Sequence, residues 1–467
     1  MNQQATPGRT RSTIAALATP AGAGGIAIVR ISGPRAWEVG RRLFRPSAGP
    51  LPHNPPPRRL LHGQVIDPQN SEVVDEVLCA FFRAPHSYTT EDTVEIQGHA
   101  GPAVAQRVLE LALAAGCRLA RPGEFTLRAF LGGRIDLSQA EAVAQLVQAQ
   151  SQVEARLALG GLQGGLAREL QGVRQALLHT AAQVEACLDF PDEVPEIDPG
   201  DLARRLGEGV LGPMQGLIRG RLGKRVFREG GVVVICGRPN VGKSSLFNSL
   251  LGGSRAIVSS RPGTTRDAIE ESITCGGVVM RLVDTAGLGT GRDELEALGM
   301  AQTRDRLGLA HLALVVLDTS QPLGEPDRRV LEETAGQTRL ICLNKADLPR
   351  AWGPEQLGLT GETMIPASAK EGSGVDELAR ALARALTGGQ REPQPGEVVV
   401  SQRQAQALER GLEACRQAQG LLEQPEPPFE MVSLELARAL EFLGQVDGQG
   451  APGQVIEAVF ENFCVGK

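Results

Sequence analysis

The stretch GRPNVGKS, residues 237 to 244, decides the fold of the middle of this chain. It follows the apolar run VVVIC and precedes a helical pattern, SLFNSLL. The spacing G-x-x-x-x-G-K-[ST] lets a glycine-rich turn direct backbone N–H groups at phosphates, while Lys243 reaches the β and γ oxygens and Ser244 ligates Mg²⁺. A strand, loop and helix in this order therefore predict a phosphate-binding loop.

Two further motifs predict the residues that sense the γ-phosphate. PGTTRD, residues 262 to 267, offers Thr264 and Thr265, one of which can complete the Mg²⁺ shell. DTAG, residues 284 to 287, ends an apolar run, so Asp284 is expected near the metal and the N–H of Gly287 near the γ-phosphate.

The last two motifs predict that the base is guanine. Asp347 of NKAD can accept hydrogen bonds from guanine N1 and N2, which adenine does not offer, and the SAK segment at 368 to 370 can donate a backbone N–H to O6. Five motifs in register predict a GTPase. The predicted GTP-binding residues are Asn240, Val241, Gly242, Lys243, Ser244, Ser245, Ser259, Thr264, Thr265, Asp284, Thr285, Ala286, Gly287, Asn344, Lys345, Asp347, Ser368, Ala369 and Lys370, with Ser244 and Thr265 as Mg²⁺ ligands.

The texture on either side of these motifs predicts a multidomain α/β protein of 467 residues. Strand-like runs precede residue 130, and amphipathic helical runs follow from Ser138, which stands with Glu141 at capping-box spacing. Apolar runs between 229 and 388 are typical of strands buried on both faces of a parallel sheet. The expected domains are an α+β domain at 1–130, a discontinuous helical domain at 131–228 and 389–467, and an inserted Ras-like P-loop domain with a mainly parallel sheet at 229–388.

Composition limits the location and the partners. The formal net charge of −6 excludes a global basic field, so any RNA contact would need a local Lys/Arg patch. Eight cysteines without a C-x-x-C pair suit buried, reduced thiols. Without a leader-like N-terminus or a long apolar run, a cytoplasmic protein with no membrane partner is expected.

The flanks carry a family resemblance. GGIAIVRISG at 24–33, SYTTEDTVEIQGHAGP at 87–102, RPGEFTLRAFLGGRIDLSQAEAV at 121–143 and the terminal FCVGK, together with the GTPase motifs, resemble the MnmE (TrmE) family of tRNA modification GTPases over nearly the whole chain. The resemblance implies a homodimer that works with a flavin-dependent MnmG-like partner, as a heterotetramer, to add an aminomethyl or carboxymethylaminomethyl group to C5 of the wobble uridine of certain tRNAs. It also implies an N-terminal domain that binds 5-formyl- or methylene-tetrahydrofolate.

Residues for hydrolysis follow from the resemblance. The residue after Gly287 is Leu288, which cannot orient water, and the family's water-orienting glutamate matches Glu296. Hydrolysis in the family is stimulated by K⁺, which can take the place of an arginine finger beside the phosphates. The matching K⁺ residues are Asn240, Ser259, Arg261 and Thr264.

The resemblance also assigns residues at both chain ends. Arg30, Glu95, Arg134 and Lys467 match the folate positions: a carboxylate can pair with the pterin edge, and cations with the anionic glutamate tail. Cys464 has two candidate roles, as a nucleophile that adds to C6 of uracil or as a structural, folate-positioning residue.

Two other functions stay open from the residues alone. One is an Era- or Der-like ribosome-assembly GTPase, which the acidic balance and the 3% aromatic content disfavour. The other is a folate-dependent enzyme regulated by an attached GTPase.

Overall fold

The computed structural model describes residues 12–20, 22–190, 198–253, 270–284, 308, 310–359, 361–394, 396–461 and 463–466. The chain divides into two compact units. The first combines residues 1–144 with 440–467, and the second comprises residues 145–439. Among the described residues, no helix is both long and apolar enough to cross a membrane.

The described part of the first unit contains a seven-stranded sheet. Its strands are β1 (Ile14–Leu17), β2 (Gly24–Ser32), β3 (Phe44–Pro46), β4 (Leu60–Ile66), β5 (Val73–Phe82), β6 (Thr93–Ala100) and β7 (Arg118–Leu119). They lie in the order β3-β4-β5-β6-β2-β1-β7, antiparallel except for the pair of β1 and β7. The sheet confirms an α+β N-terminal domain.

The two faces of this sheet differ because strand side chains alternate. One face carries Val29, Val77 and Phe81 into a core shared with helices α1 (Ala36–Leu43) and α2 (Pro102–Ala114). On the other face Leu78 lies opposite His62 and Gln97 and is exposed, as is Leu60, which lies opposite Ala80. This second face has no helix packed over its centre among the described residues.

The C-terminal segment belongs to the same unit. Helix α14 (Gly453–Glu461), the last described helix, packs with Phe463 against Leu137 and Ala140 at the start of helix α4 (Leu137–Gln148). Phe460 stacks near Phe130 of helix α3 (Glu124–Leu131). The last residues therefore return to the N-terminal sheet.

Helix α4 begins earlier than the capping-box spacing of Ser138 and Glu141 predicts, and that prediction is wrong. The Asp136 carboxylate accepts hydrogen bonds from the N–H of Gln139 at 2.8 Å and from the Ser138 hydroxyl at 2.6 Å. The Gln139 side chain accepts the N–H of Asp136 at 2.9 Å. Asp136 competes successfully for the cap because a carboxylate accepts two donors at once.

The helical part of the second unit has its own caps. Ser401 and Gln404 form a reciprocal capping box at the start of α12 (Gln402–Leu422), and Ser151 accepts the N–H of Glu154 at 3.1 Å at the start of α5 (Gln152–Leu162). The helices are α5 (Gln152–Leu162), α6 (Gly165–Asp189), α7 (Pro199–Leu206), a π-helical turn (Gly207–Leu211), α8 (Gly212–Glu229), α12 (Gln402–Leu422) and α13 (Phe429–Asp447), of which α13 continues into the first unit.

Along the chain, the strands of a six-stranded sheet lie between α8 and α12 among the described residues. It contains β8 (Gly231–Cys236), β9 (Glu270–Cys275), β10 (Val278–Asp284), β11 (Leu312–Asp318), β12 (Arg339–Asn344) and β13 (Met364–Pro366), in the order β13-β12-β11-β8-β10-β9. Only β9 runs antiparallel to its neighbour, so the sheet is mainly parallel, as predicted.

Both faces of this sheet are covered by apolar cores. Its helices are α9 (Lys243–Gly253), α10 (Glu325–Glu333) and α11 (Val375–Thr387), with a 3₁₀ turn at Pro354–Leu357. The phosphate loop, DTAG and NKAD follow the carboxyl ends of β8, β10 and β12, and this edge is where open α/β sheets bind ligands.

Candidate functional site

The phosphate loop depends on glycines at two positions. Gly237 has φ +152°, and a Cβ there would lie 2.5 Å from the carbonyl oxygen of Val316. Gly242 has φ +97°, and a Cβ there would lie 2.4 Å from Nδ2 of Asn344. Asn240 at the loop apex adopts the left-handed conformation with φ 64° and is exposed. The spacing of the motif therefore follows from close backbone approaches that a side chain would block.

Lys243 closes the loop from inside. Its Nζ donates hydrogen bonds of 2.9 Å to the carbonyl oxygens of Gly237 and Arg238, and the residue is only 8% exposed. Burial lowers the pKa of Lys243 from its ordinary value, while Asp284 acts in the opposite direction. An ammonium has three N–H donors, so one remains for a phosphate oxygen.

Two oxygen donors for a metal meet beside this lysine. The Ser244 hydroxyl donates to Oδ2 of Asp284 at 2.8 Å, and Asp284, at the end of β10, is 3% exposed. A hydroxyl and a carboxylate are hard oxygen ligands of the kind that Mg²⁺ prefers. The structure thus brings together two residues from separate motifs that the metal site requires.

The guanine-side motifs converge on Asn344. Its Nδ2 donates to the carbonyl oxygen of Val241 at 2.8 Å, and its Oδ1 accepts the N–H of Ala369 at 3.1 Å. Asn344 is 1% exposed. One buried side chain therefore joins the phosphate loop to the SAK segment, whose Ala369 N–H is already used by this contact.

Ser368 of the SAK segment helps to keep the Asp347 carboxylate ionised. A hydrogen bond from Ser368 holds the pKa of Asp347 below its ordinary value, and Lys370 and Lys345 act in the same direction. The carboxylate consequently stays ionised and acts only as an acceptor, which is the form that pairs with two guanine N–H groups.

Four residues that were not among the predicted site residues also connect these loops: Arg238, Asp318, Gln321 and Asp327. Arg238 donates to Asp327 at 3.0 Å and to Gln321 at 3.1 Å, and Lys345 donates from Nζ to Asp318 at 2.7 Å. Burial raises the pKa of Asp318, but hydrogen bonds from Lys345 and Ser320 outweigh it and leave the pKa below its ordinary value. A sequence signal existed for Asp318, which ends the apolar strand LALVVLD.

Several predicted residues lie outside the described part of the chain, so their roles stay predictions. They are Ser259, Arg261, Thr264, Thr265, Thr285, Ala286, Gly287, Glu296 and Lys467.

The first unit gathers the described residues that the resemblance assigns to folate. Arg30 on β2 donates to Glu95 on β6 at 2.8 Å, and the two are directly opposite in the strand register. The guanidinium groups of Arg30 and Arg134 lie 5.4 Å and 4.8 Å from the centroid of the Tyr88 ring. Tyr88, the only tyrosine of the chain, was not predicted.

The chain terminus reaches this cluster. Arg30 donates to the carbonyl oxygen of Gly466 at 3.3 Å, and the N–H of Gly123 donates to the carbonyl oxygen of Cys464 at 3.4 Å. Gly466 has φ +94°, and a Cβ there would lie 2.2 Å from the carbonyl oxygen of Leu17. The tail is therefore held through its backbone, at a position where only glycine fits.

Cys464 differs from the other cysteines in exposure. All eight lie in the described residues as free thiols, five of them buried, in agreement with the sequence prediction. Burial raises the pKa of Cys117 to about 11 and that of Cys236 to about 12, which keeps these thiols protonated and inert. Cys464 alone is exposed.

The loop, the paired metal donors and the Asn344 bridge define a P-loop protein that binds a guanine nucleotide. Residues 13–134 match the family described as the GTP-binding protein TrmE N-terminus, and residues 137–464 match the MnmE helical domain. Over 97% of this chain and 99% of each relative, the chain is 42% identical to a protein of Moorella thermoacetica, 41% to one of Geobacillus kaustophilus and 43% to one of Heliobacterium modesticaldum. Each of the three is named tRNA modification GTPase MnmE. The chain belongs to the MnmE family of tRNA modification GTPases.

Among solved structures, the G domain of the T. maritima FeoB iron transporter matches 33% of this chain and 98% of its own at 28% identity, with a TM-score of 0.26. A score this low has no bearing on function.

Proposed function

We propose that this chain hydrolyses GTP at the carboxyl edge of the six-stranded sheet, and that hydrolysis serves the modification of C5 of the wobble uridine in tRNA. The observation that carries the proposal is the Asn344 side chain, which contacts both Val241 of the phosphate loop and Ala369 of the SAK segment. One nucleotide can therefore contact the phosphate loop with its phosphates and the SAK segment with its base.

Hydrolysis transfers the γ-phosphoryl group of GTP to water with GDP as the leaving group, so charge on the β and γ oxygens must be stabilised. Lys243 supplies a buried ammonium with one donor to spare. Ser244 and Asp284 would hold Mg²⁺, which when bound neutralises the phosphate oxygens. Glu296 is proposed to orient the attacking water, since Leu288 is apolar.

Stimulation by K⁺ is part of the proposal. The proposed ligands are Asn240, Ser259, Arg261 and Thr264, of which Asn240 is described. Its exposed position at the apex of the phosphate loop supports access of a cation beside the phosphates. A cation at that place would offset developing charge, as an arginine finger does.

A folate donor of the one-carbon unit is proposed for the cluster of Arg30, Glu95, Tyr88 and Arg134. The Glu95 carboxylate suits the donor edge of a pterin, the Tyr88 ring offers a stacking surface, and the guanidinium groups suit the anionic glutamate tail. Lys467 would add a further cation. The exposed thiol of Cys464, two residues before the Gly466 contact with Arg30, suits either a nucleophile or a positioning residue.

A homodimer and a flavin-dependent MnmG-like partner in a heterotetramer complete the proposal, in the cytoplasm. Support for self-association comes from the second face of the seven-stranded sheet, where Leu60 and Leu78 are 56% and 39% exposed. Apolar residues exposed together on a sheet face are typical of an interface.

The first experiment measures single-turnover GTP hydrolysis by the full chain in KCl and in NaCl. We expect faster hydrolysis in KCl, and Glu296→Ala should bind GTP normally but lose turnover. Glu409→Ala, which removes an exposed carboxylate from α12, is the matched control. Equal rates in the two salts would contradict the K⁺ role, and unchanged turnover in Glu296→Ala would remove that residue from the mechanism.

The second experiment is mass spectrometry of tRNA nucleosides from a strain that lacks this chain. Loss of the C5 modification at the wobble uridine is expected, with restoration by the parent gene and none by Lys243→Ala. Intact modification together with accumulated ribosome precursors would overturn the tRNA role.

A further inference from the structure

A cavity of about 580 Å³ opens in the first unit, outside the cluster of Arg30 and Glu95. It lies between helix α1, the proline-rich loop at 47–59 and the segment that follows β5. Three arginines line it, Arg41, Arg42 and Arg83, with Trp37 and His53 beside them. The Trp37 side chain is held in one position, because the residue is 9% exposed and its Nε1 donates to the carbonyl oxygen of Phe82 at 2.9 Å.

The three guanidinium groups keep most of their donors. Arg83 lies 4.8 Å over the ring of Trp37, and Arg41 donates to the carbonyl oxygen of His53 at 3.1 Å. Arg42 is exposed, and its guanidinium makes no hydrogen bond within the described residues, although its charge acts on Glu38. A guanidinium has five N–H donors, and arginines held with unused donors are suited to phosphate oxygens.

The two acidic residues of the cavity are already engaged. Glu38 accepts two hydrogen bonds from Arg35, at 2.8 and 3.0 Å, and Asp92 accepts the N–H of Ala84 at 2.9 Å. Arg35 holds the pKa of Glu38 below its ordinary value. The cavity consequently offers unused positive charge to a ligand, and its carboxylates do not neutralise it fully.

The positive charge extends beyond the cavity. Residues 35–59 contain six arginines and a single acidic residue, Glu38, whereas the whole chain has a net charge of −6. Arg58 contacts the segment that contains Arg83: its backbone N–H donates to the carbonyl oxygen of Phe81 at 2.8 Å, and its guanidinium donates to that of His86 at 3.4 Å. A small anion would use only part of this surface, whereas a chain of phosphates would use it along its length.

We propose that this cavity and the arginines around it bind the phosphate backbone of RNA, and that tRNA is its source. Guanidinium groups on phosphates position an RNA without reading its bases, so the surface orients the substrate and does not select its sequence. The RNA source rests on the tRNA role proposed above, whereas the phosphate chemistry rests on the cavity itself.

The test is binding of an unmodified tRNA transcript to the full chain as a function of salt. The variant Arg41→Gln, Arg42→Gln, Arg83→Gln removes three charges and only one hydrogen bond to the protein. We expect the variant to bind tRNA more weakly than the parent by roughly tenfold or more. The slope of log affinity against log salt should decrease in magnitude by about two to three units, since each phosphate contact releases close to one counterion. GTP hydrolysis without tRNA should be unchanged.

The matched control, Arg329→Gln, Arg410→Gln, Arg416→Gln, makes the same charge change at exposed arginines of the second unit. It should bind tRNA like the parent, and an equal loss would show a general charge effect and overturn the site. If the parent binds tRNA and the cavity variant binds it equally well, the cavity is excluded while the tRNA role stands. If the parent binds no tRNA at all, the tRNA role itself fails together with the RNA source.

Two more measurements separate other ligands. Equilibrium dialysis with labelled inorganic phosphate that shows a site in the parent and none in the cavity variant, with tRNA binding unchanged, would assign a free phosphorylated compound and overturn the RNA source. Weakened binding of the flavoprotein partner with unchanged tRNA binding would assign an acidic protein surface, and would overturn it as well.

Discussion

The side-chain amide of Asn344 donates a hydrogen bond of 2.8 Å to the backbone carbonyl oxygen of Val241, so a residue that ends β12 holds the phosphate loop that follows β8. The same side chain accepts the N–H of Ala369. Neighbouring loops at the carboxyl edge of the sheet are therefore coupled through a single buried group.

We expect Asn344→Ala to weaken GTP binding by about 10-fold to 100-fold, because two buried hydrogen bonds of roughly 0.5 to 1.5 kcal/mol each are lost and their partners are left unpaired. Fluorescent GTP titration measures the loss. Asn70→Ala, in a surface turn where Asn70 accepts the N–H of Glu72, should bind GTP like the parent. Parent-like affinity in Asn344→Ala would contradict the coupling.

Asp347→Asn should change the base preference from guanine to xanthine. The carboxylate accepts from guanine N1 and N2, whereas an amide can donate to the O2 of xanthine, so GTP affinity should fall by on the order of 100-fold or more and xanthosine triphosphate affinity should rise. Competition between the two nucleotides measures the change. Unaltered preference would place the base elsewhere.

Asp347 also predicts the pH dependence of binding. Its pKa is lowered from 3.8 by Ser368, so the ionised acceptor form is present above that ordinary value and is lost only as the pH falls through the lowered pKa. GTP affinity of the parent should therefore remain level from pH 7 to pH 5. If GTP affinity of the parent falls between pH 7 and pH 5 and that of Asp347→Asn does not, the pKa of Asp347 is raised and the prediction is wrong.

Gly466→Ala should detach the tail from the cluster of Arg30 and Glu95. The added Cβ would meet the carbonyl oxygen of Leu17 at 2.2 Å, and the backbone at φ +94° is strained for alanine. In equilibrium dialysis we expect the affinity for 5-formyl-tetrahydrofolate to fall by about tenfold or more relative to the parent, with unchanged GTP hydrolysis. Gly450→Ala is the control, since its φ of +81° imposes similar strain but no atom lies within 4 Å of the new Cβ. Equal folate binding by the two variants would show that the tail is not part of the site.

Glu124 should give the first unit an acid-sensitive stability. Burial raises its pKa, but hydrogen bonds from Arg118, from the N–H of Arg121 and from Arg128 outweigh it, so the pKa lies below the ordinary 4.5. A lowered pKa contributes stability above the unfolded value, and that contribution is lost as the pH falls through the folded pKa. The Arg128 side chain is 4% exposed, and Glu124→Gln would remove one of its two carboxylate partners, while Glu91 remains at 2.8 Å.

At pH 7 we expect Glu124→Gln to cost about 1.5 to 3 kcal/mol, because charge-assisted hydrogen bonds from Arg118 and Arg128 are weakened while Glu91 still compensates Arg128. The difference from the parent should shrink below pH 4.5. Native-state hydrogen exchange of residues 124–131 measures this locally. Glu110→Gln, in a pair with Arg107 whose side chains are both 48% exposed, should change exchange by less than about 0.5 kcal/mol. A difference that is constant with pH would exclude ionisation as its cause.

The GTPase motifs could be read from the sequence because each is short and its geometry is local. Gly237, Lys243 and Ser244 lie within eight consecutive residues, so their spacing is visible in the sequence although Asn344 helps to hold the loop. Arg238 escaped prediction because its partner Asp327 lies 89 residues away. Tyr88 escaped because its role depends on Arg30 and Arg134, which strand pairing and a loop bring to the same ring.

The start of α4 shows the limit of local patterns. Ser138 and Glu141 satisfy the capping-box spacing, yet Asp136 takes the cap, because two candidate caps within three residues compete and the carboxylate accepts both available donors. Spacing identifies candidates, and only the geometry of the first turn decides between them.

The sequence by itself determined the mainly parallel nucleotide-binding sheet, the identity of its base and the family, since these depend on contiguous motifs and on apolar runs whose burial follows from composition. The tertiary structure decided that residues 440–467 belong to the same unit as the N-terminal sheet. It also decided that Arg41, Arg42 and Arg83 line one cavity on an acidic chain. Both are contacts between segments far apart in the chain, and such contacts are set by packing of whole elements, which no local pattern records.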